Sequence, residues 1–187
     1  MCILNYNLKC ALTALLAMVM LSLPATADEV AKLDPLFEQL KQADSADASR
    51  IAREINMELS KSGSPAMDLL LKRGQDALDA GDIQAAIGHL TALTDHAPNF
   101  AEGWHTRSLA YAQAGLYGPA LSDLEHALAL RPRHFRAIFG LGVIMEELGR
   151  PEQALAAFKK ARAIYPGFEG INEFINRLSR DLDGEDI

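Results

Sequence analysis

A spacing of 34 residues recurs along the middle of this chain and constrains its fold more than any other feature. Glycine, alanine and proline each return at one fixed position in three successive copies. They stand at Gly81, Gly115, Gly149, Ala86, Ala120, Ala154, Pro98, Pro132 and Pro166. A period of this length is typical of a helix-turn-helix unit that buries its apolar face against the next copy. The sequence therefore predicts an all-α array of stacked repeats.

The recurring residues have mechanical reasons to be where they are. Gly81 is expected to end the first helix of its copy in a left-handed conformation, which satisfies free carbonyl groups. Pro98 ends the second helix, because proline lacks an N–H and collides with the preceding turn. Gly74 and Gly142 are small where the two helices of a copy are expected to cross closely. These residues indicate packing rather than chemistry.

The three copies, 67–100, 101–134 and 135–168, resemble tetratricopeptide repeats. In that family the first helix carries Trp-x-x-Leu-Gly-x-x-Tyr, and the second carries Ala-x-x-x-Phe-x-x-Ala with a proline near its end. The middle copy reads Trp104, Arg107, Ser108, Tyr111, Ala120, Leu124, Ala127 and Pro132, and the last reads Ile138, Leu141, Gly142, Met145, Ala154, Phe158, Ala161 and Pro166. The resemblance implies a right-handed superhelix with a capping helix and a concave groove that holds a partner.

The segments on either side of the array are also expected to be helical. Residues 28–66 read as a helical pair with the outline of a degenerate repeat, ended by Ser62-Gly63-Ser64-Pro65. Residues 169–187 read as an amphipathic capping helix followed by an acidic tail. The apolar residues of the 28–66 pair must be buried somewhere. The sequence leaves open whether they fill the groove or whether the groove stays open.

Residues 1–27 are typical of a signal peptide. Lys9 precedes an apolar run, and Ala25-Thr26-Ala27 forms an A-x-A cleavage pattern before Asp28. The run has roughly 14 residues, whereas a membrane span needs about 20, so cleavage after Ala27 is favoured over a retained anchor. We expect export to the bacterial periplasm, with no stable membrane insertion after cleavage.

Composition excludes several classes of function. Both cysteines, Cys2 and Cys10, lie in the predicted signal peptide, so the mature chain has no thiol for disulfides, catalysis or metal binding. The formal net charge is −7, with the acidic residues concentrated in the flanks. An acidic chain is a poor match for phosphate backbones, so nucleic-acid binding is not expected.

The sequence shows no catalytic constellation. The five histidines (His89, His96, His105, His126, His134) fall at five different repeat positions, and none forms an H-x-x-x-H pattern with another. A G-x-S-x-G nucleophile motif and a glycine-rich phosphate loop are both absent from the sequence. The sequence therefore predicts no enzyme, no metal site and no cofactor.

The resemblance also implies which residues face the groove, because fixed positions of each first helix do so in the family. Carried over by register, the groove residues are Leu71, Gln75, Leu78, His105, Leu109, Gln113, Arg136, Phe139 and Val143. Acidic residues at neighbouring positions would form its rim: Asp68, Asp79, Glu102, Glu146 and Glu147. The partner is then a peptide or helix with apolar anchors and a basic residue or two.

Many eukaryotic members of the family hold a C-terminal carboxylate with Lys, Asn and Arg side chains in the groove. Here Leu71 and Gln75 stand where Lys and Asn are expected, and Gly140 replaces one Arg, so only Arg136 fits. A carboxylate clamp is therefore disfavoured. We expect a non-enzymatic interaction scaffold or adaptor of the bacterial envelope. The alternative is a structural protein that self-associates into homo-oligomers.

Overall fold

The computed structural model describes the backbone of residues 24–185 and the side chains of residues 32–184. Residues 1–23 of the predicted signal peptide, and the last two residues of the acidic tail, lie outside the described part. Within it the chain is all-α. Its helices are α1 Pro24–Gln42, α2 Ser45–Leu59, α3 Pro65–Asp79, α4 Ile83–His96, α5 Ala101–Gln113, α6 Tyr117–Leu130, α7 Phe135–Glu147, α8 Pro151–Ile164 and α9 Ile171–Glu185.

The three repeats form helix pairs, α3 with α4, α5 with α6, and α7 with α8. Gly81, Gly115 and Gly149 follow the first helix of each pair with φ of 75°, 72° and 67°, so the predicted left-handed turns are confirmed. At the first of these turns, the Gly81 N–H bonds to the Leu78 carbonyl at 3.0 Å, and the Asp82 N–H bonds to the Ala77 carbonyl at 2.9 Å. These bonds satisfy carbonyl groups at the end of α3.

The close crossing within a repeat is also confirmed. A Cβ atom added at Gly142 would lie 2.6 Å from a ring carbon of Phe158, which is fully buried. At Gly74 it would lie 2.5 Å from Leu90. Because neither distance leaves room for a methyl group, glycine sets how closely the two helices of these repeats approach.

Helix α9 covers the exposed end of the array. Its residues Ile171, Ile175 and Leu178 are buried in one cluster with Ile138 and Phe158 of the third repeat. Arg177 on the same helix forms an ion pair with Glu146 of α7. Helix α9 therefore covers an apolar face of the last repeat.

Helices α1 and α2, here called the N-terminal pair, do not stack below the first repeat as one more copy would. Leu33, Phe37, Leu40, Ile51 and Ile55 are instead buried with Phe135 and Tyr165 at the ends of the third repeat's helices. Arg133, in the turn before α7, lies over the Phe37 ring at 4.5 Å and forms an ion pair with Asp34. The pair therefore folds back along the edge of the array.

None of the helices in residues 24–185 combines the length and the apolar character that crossing a bilayer requires.

Candidate binding groove

The first helices of the second and third repeats enclose an apolar cavity of about 220 Å³, here called the groove cavity. Helices α5 and α7 lie side by side because residues one repeat apart are neighbours in a stacked array. The groove cavity is lined by His105, Ser108, Leu109, Ala112, Leu124, Arg136, Phe139, Gly140, Val143, Ile144 and Phe168. This lining offers a site for one apolar side chain of a partner.

A second cavity of about 490 Å³ continues from the first and shares Arg136, Phe139 and Phe168 with it. Its opposite wall is helix α2, which contributes Ser49, Ala52, Arg53 and Asn56. The N-terminal pair therefore borders the groove at the third repeat and does not fill the groove cavity. This answers the question that the sequence left open.

The structure gathers five of the nine predicted groove residues around the groove cavity: His105, Leu109, Arg136, Phe139 and Val143. The other four lie outside its lining. Leu71 is 3% exposed and packs in the core cluster of the first repeat with Leu90 and Ala110. It is therefore a core residue, and its prediction as a groove residue is wrong. Leu78 is half-buried against the same cluster, Gln75 is half-buried, and Gln113 is exposed. The accessible part of the groove lies between the second and third repeats.

Phe139 is held in the groove by other aromatic rings. Its ring centroid lies 4.8 Å from that of Phe168, 5.2 Å from Phe158 and 5.4 Å from Phe174. Separations of this size are typical of favourable aromatic pairs. Three rings from α8, α9 and the turn between them thus position the side chain that a partner would contact.

The charge around this part of the groove differs from the predicted acidic rim. Glu102 is buried, and Glu146 is paired with Arg177. Arg53 and Arg136 are both exposed at the second cavity, where the nearby acidic residue is Glu169. The groove rim at the third repeat therefore carries more positive charge than the acidic rim that the sequence predicted.

A partly buried ion pair supports α5 from behind the groove. Arg107 donates to both carboxylate oxygens of Asp123 on α6, at 2.7 and 2.8 Å, and to the Thr94 hydroxyl at 2.7 Å. The hydrogen bonds to Asp123 raise the pKa of Arg107. Its guanidinium also lies 4.9 Å from the Trp104 ring. The family pattern has Leu at this position, so an ion pair was not expected from the sequence.

Below the groove cavity lies a buried acid–histidine cluster of Glu102, His105 and His134. His134 Nε2 lies 2.8 Å from Glu102 Oε2. Its Nδ1 accepts the Ala137 N–H at 3.3 Å at the start of α7. Since Nδ1 is the acceptor, the ring proton is on Nε2 and is donated to Glu102. The cluster thus joins α5 to the start of α7.

Two of the side chains in this cluster have displaced pKa values. Burial alone would raise the pKa of Glu102, but its interactions with His105 and His134 hold that pKa well below its usual range. Burial lowers the pKa of His105. The two histidines therefore favour the ionised form of the buried Glu102 carboxylate.

The cluster was not predicted from the sequence, because the five histidines fall at five different positions of the repeat. His134 ends the second repeat and Glu102 begins it, 32 residues earlier, and the stacking of α5 beside α7 brings them together. A search for polar residues about one period apart, rather than one helical turn apart, would have found the pair.

Comparison with known proteins identifies the fold that builds this groove. The model of the tetratricopeptide repeat family matches residues 71–125 and 105–167, which together span more than half of the chain. The chain belongs to the tetratricopeptide repeat family. This confirms the resemblance read from the 34-residue period.

Among sequence relatives, a TPR repeat-containing protein of Rhizobium etli is 34% identical over 161 residues, covering 86% of this chain and 79% of the relative. The small glutamine-rich tetratricopeptide repeat-containing protein 2 of Saccharomyces cerevisiae is 30% identical over 114 residues. That alignment covers 61% of this chain and 33% of the yeast protein.

Solved structures share the fold at lower identity. The first TPR domain of Spaghetti (RPAP3), bound to the HSP90 peptide SRMEEVD, has a TM-score of 0.62 and 22% identity. It covers 64% of this chain and 95% of its own. MamA has a TM-score of 0.60 and 23% identity, covering 77% of this chain and 88% of its own. Tetratricopeptide repeat domains mediate protein–protein interaction through the concave surfaces of their stacked helices.

Proposed function

We propose that this protein is a non-enzymatic adaptor of the bacterial periplasm that binds a peptide or helix in its concave groove. The observation that carries the proposal is the apolar groove cavity between α5 and α7, which opens into a second cavity bordered by α2. A concave apolar site with few polar groups is the usual form of a ligand site. Leu109, Phe139 and Val143 would contact the partner's apolar anchor.

The charges beside the cavity favour a partner with an acidic group next to that anchor. Arg136 borders both cavities and Arg53 faces it across the second one. A carboxylate about one residue from the anchor would reach these guanidinium groups, which bind carboxylates well. This replaces the basic partner residue that an acidic rim would have favoured.

The mode of binding would differ from that of family members that grip a carboxylate with Lys and Asn of their first repeat. The Spaghetti domain binds a peptide that ends in EEVD. In this chain Leu71 occupies the corresponding first-repeat position and is buried, and Gln75 replaces the asparagine. The apolar anchor rather than a terminal carboxylate would therefore supply most of the affinity.

Two groove variants and a matched control test the assignment. Leu109→Glu and Phe139→Glu place a charge in the groove cavity, while Lys159→Glu places one on the exposed face of α8. Envelope proteins captured by the wild type should be lost by both groove variants and kept by the control, with circular dichroism showing unchanged helix content. Full retention of binding by both groove variants would contradict the proposal.

The periplasmic location is supported by Lys9, the apolar run that follows it and the A-x-A pattern at Ala25–Ala27. Cleavage there would remove the first residues of α1, which begins at Pro24. Intact-mass measurement of protein from the periplasmic fraction should give an N-terminus at Asp28. A cytoplasmic protein that retains Met1 would overturn this part of the proposal.

Self-association is the competing interpretation of the same chain. Light scattering on the purified protein separates the two, because an adaptor should be monomeric at micromolar concentration. A stable oligomer that is dissociated by Leu109→Glu would favour the structural role instead.

A further inference from the structure

The acid–histidine cluster has the composition and burial of a metal site. Glu102, His105 and His134 are 4%, 2% and 1% exposed, and one ligand atom from each lies within 4.8 Å of the others. One carboxylate oxygen and two imidazole nitrogens are donors that suit zinc and related transition metals. Of the three, His105 also lines the groove cavity.

His105 has an unsatisfied ring nitrogen that points to a missing ligand. Its Nδ1 is buried and has no hydrogen-bond partner among the described residues. It lies 3.5 Å from Glu102 Oε2, at the outer limit of hydrogen-bond distance, and forms no hydrogen bond with it. Buried polar atoms are almost always satisfied, so an orphaned nitrogen beside an ionised carboxylate calls for an explanation.

The spacing of these atoms fits coordination of one ion. Two ligands that each bind zinc at 2.0–2.2 Å in tetrahedral geometry are about 3.4 Å apart. The 3.5 Å between His105 Nδ1 and Glu102 Oε2 matches this value. The 2.8 Å between His134 Nε2 and Glu102 Oε2 would widen by about 0.6 Å as a hydrogen bond is replaced by two metal bonds.

We propose that Glu102, His105 and His134 bind a divalent transition-metal ion such as Zn²⁺, with water as the fourth ligand. The ion would hold the first turn of α5 against the turn that precedes α7. Helices α5 and α7 line the groove cavity. The ion would therefore keep the distance between α5 and α7 across the groove constant. It neutralises the charge of Glu102 and gives His105 Nδ1 a partner.

Binding requires a proton to move on His134. Coordination through Nε2 leaves the neutral ring with its proton on Nδ1, which now accepts the Ala137 N–H at 3.3 Å. That hydrogen bond would be lost. The Nδ1–H and the Ala137 N–H, both donors, would then face each other in a buried site, so the amide must shift when the ion binds. The Ala137 amide thus becomes a specific reporter of metal binding.

The test is titration of the untagged, chelator-treated protein with Zn²⁺ by calorimetry and with Co²⁺ by visible absorption. We expect one ion per chain, the visible spectrum of tetrahedral Co²⁺, and a chemical-shift change at the Ala137 amide. Glu102→Gln and His105→Gln keep the side-chain size and remove a ligand. Loss of a residue that only hydrogen-bonds to a metal ligand weakens metal binding about 10–100-fold. Each variant, which loses a ligand itself, should therefore bind Zn²⁺ at least that much more weakly.

His96→Gln is the matched control, because His96 is exposed at the end of α4 and is not one of the three cluster residues. Its affinity for Zn²⁺ should equal that of the wild type. No stoichiometric binding by the wild type, or equal binding by all variants, overturns the proposal. If either cluster variant fails to fold, the Co²⁺ spectrum and the Ala137 shift of the wild type decide, and their absence also overturns it.

Discussion

Arg107 shows how one residue can depart from a repeat pattern and still support the repeat. It occupies the position of a family leucine on α5, and its guanidinium is bound by Asp123, Thr94 and the face of Trp104. Asp123 is 4% exposed, and both of its carboxylate oxygens accept hydrogen bonds from Arg107. An apolar contact between the helices of the repeat has been replaced by a fixed, bidentate polar one.

Removing Arg107 should therefore cost far more than removing a surface charge. We expect Arg107→Ala to lower the free energy of unfolding by about 3–5 kcal/mol, because a buried carboxylate loses its partner. The double variant Arg107→Leu with Asp123→Leu should recover most of this loss. Urea denaturation of the wild type, of Arg107→Ala, of Arg107→Leu and Asp123→Leu alone, and of the double variant measures these losses and the coupling. A loss below about 1 kcal/mol for Arg107→Ala would mean that the pair behaves as an exposed one.

At the scale of the helix, two glycines of α7 stand two residues apart in opposite environments. An added Cβ at Gly142 would collide with the Phe158 ring, whereas at Gly140 the single close neighbour is a Leu124 methyl at 3.9 Å. Both have helical backbone conformations. Gly142 is thus required by the crossing of α7 with α8, and Gly140 is not.

The two alanine substitutions should change stability in opposite directions. Gly142→Ala should destabilise by about 1–3 kcal/mol, since Phe158 must shift in a packed core. Gly140→Ala should stabilise by up to about 1 kcal/mol, since alanine favours helix and ordinary contact distance is available. Thermal and urea unfolding of the two variants provides the measurement. Equal effects at both sites would show that the crossing is not as close as the structure places it.

Sequence periodicity predicted these elements well because each repeat contacts its immediate neighbours. Gly81, Gly115 and Gly149 fix the turns, and the spacing places Leu109, Phe139 and Val143 on one surface. Such local relations are repeated three times, so the pattern is visible in one sequence.

For the whole molecule, the sequence could not predict where the N-terminal pair packs. Phe37 and Ile55 lie about one hundred residues from Phe135 and Tyr165 in the chain, and no period relates them. Leu71 was misplaced because the register does not tell whether a leucine at a groove position turns into the neighbouring core. The acid–histidine cluster was missed since His134 lies about one repeat after Glu102 and His105 rather than one helical turn from them.

Within the described residues, the apolar groove cavity lies between the second and third repeats. Its floor comes from α5 and α7, one wall comes from α2, and α9 covers the terminal repeat. The N-terminal pair, which the sequence presents as an imperfect repeat, contributes a wall of the site. The central claim is that a partner binds at this place and not elsewhere on the array.

Site-specific photocrosslinking in living cells tests that claim most directly. A photoreactive phenylalanine analogue is placed at Leu109 and Val143 in the groove cavity, and at Lys159 and Lys160 on the exposed face of α8. The account predicts that the same crosslinked partner appears at both groove positions and at neither α8 position. Crosslinks of that partner at the α8 positions, with none in the groove, would contradict it.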